Sequence, residues 1–495
     1  MMEHEFSYTS KEINDKLSSI INETLGDIDV NNAFDKTIGK PKVTGIAGDV
    51  IEQSVLGYPA NSDQKPDIIV DGKNVEVKTT GVKYSTKALK KKKQTVADFE
   101  AKEPMSVTAV SPEKIVNETF DDSNFWHKLE NILFFYYHYD SPTTVKSWEY
   151  KDFKVVGAEF HEFSNADKER LKQDWEKVRD FIIDAQKNYS DPTTRYPLLG
   201  SLRKELLLID TAPKYPNPPR FRLKRSTVTS IIQEYFGKKF EKLPQIDSFS
   251  DIDKVLHNAT QKYRGLTVEE LLKRLNIKYT LNTSGDVNKN IAEKIMLKLF
   301  GSNANKLNKI DIFQKANLTL KSIVQTKKQT RTEDTKLFPI DFDEIGLDPD
   351  FEESQFYTYF SEKQFIFVIF EEPDSDAKLL KNKFLGFKRV SFDDHFIDNY
   401  VHKAWTHTKD LVLNDSLVEE MVISKKTGRP IINNAGTPRT KLNFIKSSEN
   451  PIFVRGSGKD SKHKPLQVNG IDMYAQWIWI KGSTINEMLN NLDYI

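Results

Sequence analysis

Apolar residues at Ile13, Leu17, Ile20, Ile21 and Leu25 recur at helical spacing. They follow Thr9-Ser10-Lys11-Glu12, a Thr-x-x-Glu capping box, and Gly26 is the stop signal of the predicted helix. The period then changes. Ile68-Ile69-Val70 and Val75-Glu76-Val77 flank Asp71-Gly72, a dipeptide that accepts φ > 0, so two short strands joined by a tight hairpin turn are predicted. Aromatic-rich runs at residues 132–137 and 365–370 predict buried strands. Helical patterns centred on Trp175 (residues 171–181) and Trp405 (residues 400–411) follow them.

These elements come twice, in one order. Gly45-Ile46-Ala47-Gly48-Asp49-Val50-Ile51-Glu52 finds an echo in Asn290-Ile291-Ala292-Glu293-Lys294-Ile295-Met296-Leu297, and Ile291 follows Ile46 by 245 residues. The hairpin is expected again at residues 311–321, where Lys321 follows Lys78 by 243 residues. Each half closes with a strand running into a helix, at residues 222–228 and 479–485. A near-constant offset over six pairings predicts a duplicated α/β domain, each copy a mixed central sheet flanked by helices. The expected boundaries are 1–237 and 256–495. Residues 238–255, with Lys238-Lys239, Pro244 and Ser248-Phe249-Ser250, read as a linker.

The hairpin also carries the chemistry. Asp67 stands near the start of its first strand, and Glu76 and Lys78, two residues apart, share one face of the second. Two carboxylates and an ammonium at a sheet end can bind Mg²⁺ and polarise a water beside a phosphodiester. A solvated surface hairpin in a lysine-rich chain would show the same residues, so the comparison of the copies matters. Glu52 becomes Leu297 and Glu76 becomes Thr319, while Lys78 is kept as Lys321. The second copy lacks the carboxylates a hard cation needs, so one half is expected to cut and the other not.

Composition narrows the setting. The 495-residue chain has no cysteine, which excludes disulfides, thiolate metal sites and cysteine nucleophiles. No run of about 18 apolar residues predicts a membrane span, and no secretory signal is read, so a cytoplasmic protein is expected. Net charge is only +1, yet residues 82–94 hold six lysines and no acid. Residues 195–225 hold eight basic groups against Glu205 and Asp210, and residues 425–464 ten against Glu449 and Asp460. Solvated loops produce such excesses; three beside a metal-type motif suggest surfaces that track phosphates. Gly456-Ser457-Gly458-Lys459 lacks the first glycine and the final Ser or Thr of a nucleotide loop, and the histidines show no ligand spacing.

Gly48-Asp49-Val50-Ile51-Glu52 on a helix, Lys65-Pro66-Asp67, and Val75-Glu76-Val77-Lys78-Thr79 together resemble the MutH branch of the PD-(D/E)xK nucleases. The two-copy layout is similar to the tandem MutH-like type II restriction endonucleases that cut at GATC. The resemblance implies two tandem restriction-endonuclease-like α/β domains, a catalytic one followed by a DNA-binding pseudo-nuclease that acts as an allosteric effector. It implies Asp67 and Glu76 as metal-binding carboxylates, Lys78 as the group that orients the attacking water, and Glu52 as an auxiliary acid. Thr79 takes a structural role. The implied cofactor is Mg²⁺, with Mn²⁺ able to substitute. The implied partners are double-stranded DNA and a methyltransferase of the same system that forms no stable complex, with no membrane. The chain is expected to act as a monomer or DNA-induced dimer.

DNA-facing residues are expected at Arg203, Lys204, Arg220, Arg222, Lys224 and Arg225 in the first half, with Lys224 near the cleft floor. In the second half they are Arg455, Lys459 and Lys481. Two departures stand out. The spacing from Asp67 to Glu76 is longer than in the family, and its Arg-Pro-Lys-like base-reading run is matched poorly by residues 195–204 and better by residues 454–459. Two other readings are a mismatch-repair-type nickase, whose family members are much shorter, and a sequence-specific DNA-binding protein that does not cut. A plasmid cleavage assay with Mg²⁺ separates the last from the rest.

Overall fold

The computed structural model describes residues 6–59, 66–85, 88–90, 92–283, 285–288, 290–328, 333–374, 377–424, 426–433, 436–458 and 464–495. Two compact units emerge. One comprises Met1–Asp253 with Met296–Leu318, the other Lys254–Ile295 with Thr319–Ile495. The segment read as a linker is ordered backbone. Glu241 bridges Ile310 in parallel, its carboxylate accepts bonds from the Ser302 hydroxyl and the Asn303 and Ala304 amides, and the helix Phe249–Tyr263 begins within the segment.

In the first unit the helix Ser10–Ile20 starts with both halves of the Thr9/Glu12 capping box in place. It ends earlier than its apolar spacing predicts. Asn22 turns left-handed (φ 73°), and the Asn22 and Leu25 amides bond the Val155 and Phe153 carbonyls instead of extending the helix. The main sheet has the order β1 (Ser7–Tyr8), β2 (Ile68–Val70), β3 (Lys73–Tyr84), β6 (Ile132–His138), β7 (Val155–His161), with β4 (Phe99–Ala101) also paired to β3. Strand β6 runs parallel to β3 and is buried along nearly its whole length, as a central strand covered on both faces must be. A second sheet sets β9 (Arg220–Leu223) between β5 (Met105–Ala109) and β8 (Ile209–Ala212). The helix Asn165–Asn188 buries Trp175 completely.

The second unit has the same order of parts. Strands β10 (Leu318–Gln325), β12 (Gln364–Glu371) and β13 (Lys383–Ser391) form one sheet, with β12 and β13 antiparallel as β6 and β7 are. Between β11 (Thr335–Pro339) and β16 (Ile452–Ser457) lies β19 (Ala475–Ile480), the last strand and the central one, as β9 is. The helix Gly482–Asn490 follows β19, as Arg225–Tyr235 follows β9. The ribbons β14 (Glu419–Met421) with β15 (Thr440–Leu442) and β17 (Leu466–Val468) with β18 (Ile471–Met473) complete it.

The expected second hairpin is not formed. Asp311–Lys315 is a helix, Asn317 turns left-handed (φ 52°), and only the second strand, β10, recurs. The helical turn brings Asp311 and Lys315, four apart, into a buried ion cluster. Lys315 bonds Asp311 (2.8 Å) and Asp167 (2.9 Å), and Arg170 bonds Asp311 and Asp167 (3.0 Å each) and Asp247 (2.6 Å). A strand would place these side chains too far apart along the chain to share those partners.

Candidate active site

Asp71 and Gly72, both left-handed (φ 48° and 80°), make the two-residue turn that joins β2 to β3 in the register Val70 opposite Lys73. The pairing runs back to Ile68 opposite Val75, which brings Asp67 beside Glu76. The Val77 amide donates to Asp67 Oδ2 (2.9 Å) and fixes that carboxylate at the sheet end. Glu76 is 1% exposed. Its Oε1 accepts from Lys78 Nζ (2.7 Å), and both its oxygens accept from Lys128 Nζ (3.0 Å each). Lys128 stands just before β6, and the parallel pairing of β3 with β6 carries it to Glu76 from 52 residues away.

Glu52 sits, partly buried, in a π-helical turn (Ile51–Leu56) that continues the helix Ile46–Val50. Burial, then the charges of Asp67 and Asp49, push its carboxyl up to about 7, against the pull of Lys78. Burial, then Glu76, likewise raises Asp67, opposed by the Val77 amide and the two lysines. Asp49 is held by Lys36 (2.9 Å). Tyr58 is buried, and its hydroxyl has no hydrogen-bond partner among the described residues. Burial and the negative field of Asp67, Glu52 and Glu76 hold that phenol protonated.

Among the described residues no three His, Asp or Glu side chains come together as a ready-made cage. Mg²⁺ does not require one. It is commonly held by one or two carboxylates, with substrate phosphate and water completing its shell. Asp67 and Glu76 supply two hard oxygen donors, and the raised carboxyls of Asp67 and Glu52 mark an excess of negative potential that a cation relieves. The residues fit such an ion.

Residues 56–174 match the family described as DNA mismatch repair enzyme MutH. That segment is MutH-like. The match spans Asp67, Glu76, Lys78 and Lys128 and begins after Glu52. Over nearly its whole length the chain is also similar to the type II restriction enzyme Sau3AI of Staphylococcus aureus, with 24% identity over 94% of this chain and 98% of that protein.

Outside the MutH-like segment, two residues expected at a DNA surface face inward. Arg203 is 7% exposed and donates to the Gly200 carbonyl (2.6 Å). Lys224 is 1% exposed and donates to the Leu206 and Arg203 carbonyls (2.5 and 3.1 Å). Asp174, on the Trp175 helix, accepts the Leu207, Leu208 and Ile209 amides. The segment entering β8 is buried without strand partners of its own, and these side chains satisfy its backbone. Arg222 forms a two-pronged pair with Asp210 (2.8 and 2.9 Å), and Arg225 bonds the Ala101 carbonyl (2.6 Å) beside Glu100. Lys204 and Arg220 are exposed. In the second unit Arg455 is exposed, bonds Asp334 (2.9 Å) and lies over the Phe453 and Trp479 rings. Lys481 is partly exposed where the final helix begins. Lys459 lies outside the described residues, as do Lys87 and Lys91 of the first basic run.

The sequence reading missed Lys128 and Tyr58. Neither stands in a spaced motif, and Trp126-His127-Lys128-Leu129 offers no pattern that would have singled out the lysine.

Proposed function

We propose that the chain is a Mg²⁺-dependent type II restriction endonuclease that makes site-specific double-strand breaks in DNA, with GATC or a related sequence as its site. The first half cuts, and the second is a DNA-binding pseudo-nuclease whose occupancy stimulates the first. The observation that carries the reading is the convergence of Asp67, Glu76 and Lys78 at one sheet end inside the MutH-like segment. Similarity to a type II restriction enzyme over both halves supports the two-domain assignment. A methyltransferase of the same system protects the host site, and the enzyme works in the cytoplasm as a monomer or a dimer formed on DNA. Among the described residues no helix is long and apolar enough to cross a membrane.

When bound by Asp67 and Glu76, Mg²⁺ supplies charge neutralisation at the scissile phosphate and a more acidic water, and Mn²⁺ can take its place. Asp67 is pre-set by the Val77 amide, which leaves its other oxygen for a ligand. Lys78 reaches Glu76 Oε1 and is partly exposed, so its remaining protons can hold the attacking water and steady charge on the phosphate. Lys128 fixes both Glu76 oxygens from within the fold. Glu52, with its carboxyl near neutrality, is placed to accept a proton or to adjust the field around Asp67.

Supercoiled plasmid bearing the site tests the proposal. Cleavage should require Mg²⁺ or Mn²⁺, and Ca²⁺ should support binding alone. Asp67→Ala or Glu76→Ala should cut at less than about 1% of the parent rate, with DNA retention in a gel-shift assay kept, because a ligand is lost and the basic surface is not. Substantial cutting by either variant would place the chemistry elsewhere.

A further inference from the structure

In the second unit a cavity of about 280 Å³ is lined from both sheets and from the final helix, Gly482–Asn490. Its walls include Phe365, Phe367, Phe392 and Ile480, all at least nine-tenths buried. The interior of a folded domain is close-packed, with few voids larger than a water. An apolar cavity of about 150 Å³ stays dry and admits a benzene ring. This one has nearly twice that volume and offers water little to bond in its depths, so its natural filling is an organic body of one or two rings.

The polar lining residues are the more exposed ones. Lys321 and Lys336 face a single carboxylate, Asp334, among them. Asp334 already has a counter-ion in Arg455 (2.9 Å) and accepts the Gly482 amide (3.3 Å). Lys336 bonds Ser457 Oγ (2.9 Å) and lies 3.7 Å from the centre of the Trp477 ring. Gly482 has no side chain because a Cβ there would overlap the Glu333 carbonyl, so the backbone on this side of the mouth packs directly on the helix start. The result is an apolar chamber behind a positively charged rim.

We infer that this cavity binds a small amphipathic anion, with an aromatic or branched apolar body in the chamber and one carboxylate against Lys321 and Lys336. A nucleotide suits it less well, since a base removed from its stack must hydrogen-bond along its edge, and the buried walls are hydrocarbon. The site stands apart from the cleavage chemistry, so its test needs neither metal nor DNA.

Calorimetric titration of the full chain with naphthoate, naphthylmethanol and thymidine monophosphate reads it directly. Naphthoate should saturate one site and bind about tenfold more tightly than the neutral alcohol. Lys336→Gln should bring the two to within about twofold of each other, with the circular dichroism spectrum unchanged. Val390→Phe or, as a second filling variant on the helix, Ile485→Phe should exclude both compounds. No saturable binding up to millimolar naphthoate, equal affinity for acid and alcohol in the parent chain, or tighter binding of the nucleotide would each overturn the assignment. Undiminished binding in a correctly folded filling variant would do the same.

Discussion

Lys128→Met isolates the residue that the sequence did not reveal. Its ammonium lies 3.0 Å from each oxygen of a carboxylate that is 1% exposed, and its own side chain is 9% exposed. Removing one partner of such a buried pair costs about 3–5 kcal/mol, because the remaining charge keeps its desolvation penalty with less compensation. Lys78, still 2.7 Å from Oε1, retains part of that compensation, so the lower end of the range is expected. For a unit of this size the melting temperature falls by about 2–4 °C per kcal/mol, giving a loss of roughly 6–12 °C. Thermal unfolding in metal-free buffer is the assay. The Lys128→Met/Glu76→Gln double variant should lose less than the two single losses combined, because it leaves no uncompensated carboxylate. Added Mg²⁺ should restore Lys128→Met more than the parent, by about 2.7 kcal/mol at a hundredfold excess over its dissociation constant, and should not restore the double variant. A Lys128→Met protein within about 1 kcal/mol of the parent without metal would refute the claim that this ammonium sustains the buried charge of Glu76.

Three further outcomes follow from other parts of the molecule. Burial, then Lys315, lowers the His161 imidazole to about 4 against the pull of Asp167 and Glu162, so the unfolded chain binds the extra proton between about pH 6.5 and 4. Stability should therefore fall as pH drops through that window, by up to about 3 kcal/mol, and His161→Phe, which keeps a ring beside Phe134 and Phe163, should flatten the profile in urea titrations; an unchanged slope would contradict it. Tyr58→Phe removes a buried hydroxyl that lacks a partner among the described residues, so the melting temperature should hold or rise; a loss of about 1 kcal/mol or more would show that the hydroxyl is bonded after all. Plasmids with two sites should be cut faster than those with one, by up to about 5–150-fold if a coupling of 1–3 kcal/mol is expressed in the rate-limiting step, and Arg455→Glu with Lys459→Glu should erase the difference. Equal rates on both plasmids would leave the second half a structural buttress.

Much of the catalytic corner was legible because it is local. The Asp71-Gly72 turn, the two-residue period that puts Glu76 and Lys78 on one face, and the Thr9/Glu12 capping box each depend on a few consecutive residues, and the structure has all three. The order of strands and tryptophan helices also survived, since long apolar runs have few places to go except the centre of a sheet. Charge was a poorer guide. Arg203 and Lys224 read as DNA contacts from their sign, but the backbone groups they satisfy become buried only when the 203–209 segment packs against the Trp175 helix. The failed second hairpin has a similar cause. Residues 311–315 turn helical in the company of Asp167 and Arg170, about 140 positions earlier in the chain. Sequence by itself determined the turns, the strand faces and the identity of the carboxylates, because backbone stereochemistry and side-chain period act over short spans. Tertiary structure alone decided that Lys128 holds Glu76, that two arginine- and lysine-type contacts point inward, and that the second unit encloses a cavity. Burial and long-range pairing belong to the assembled sheets, and no short stretch of sequence carries them.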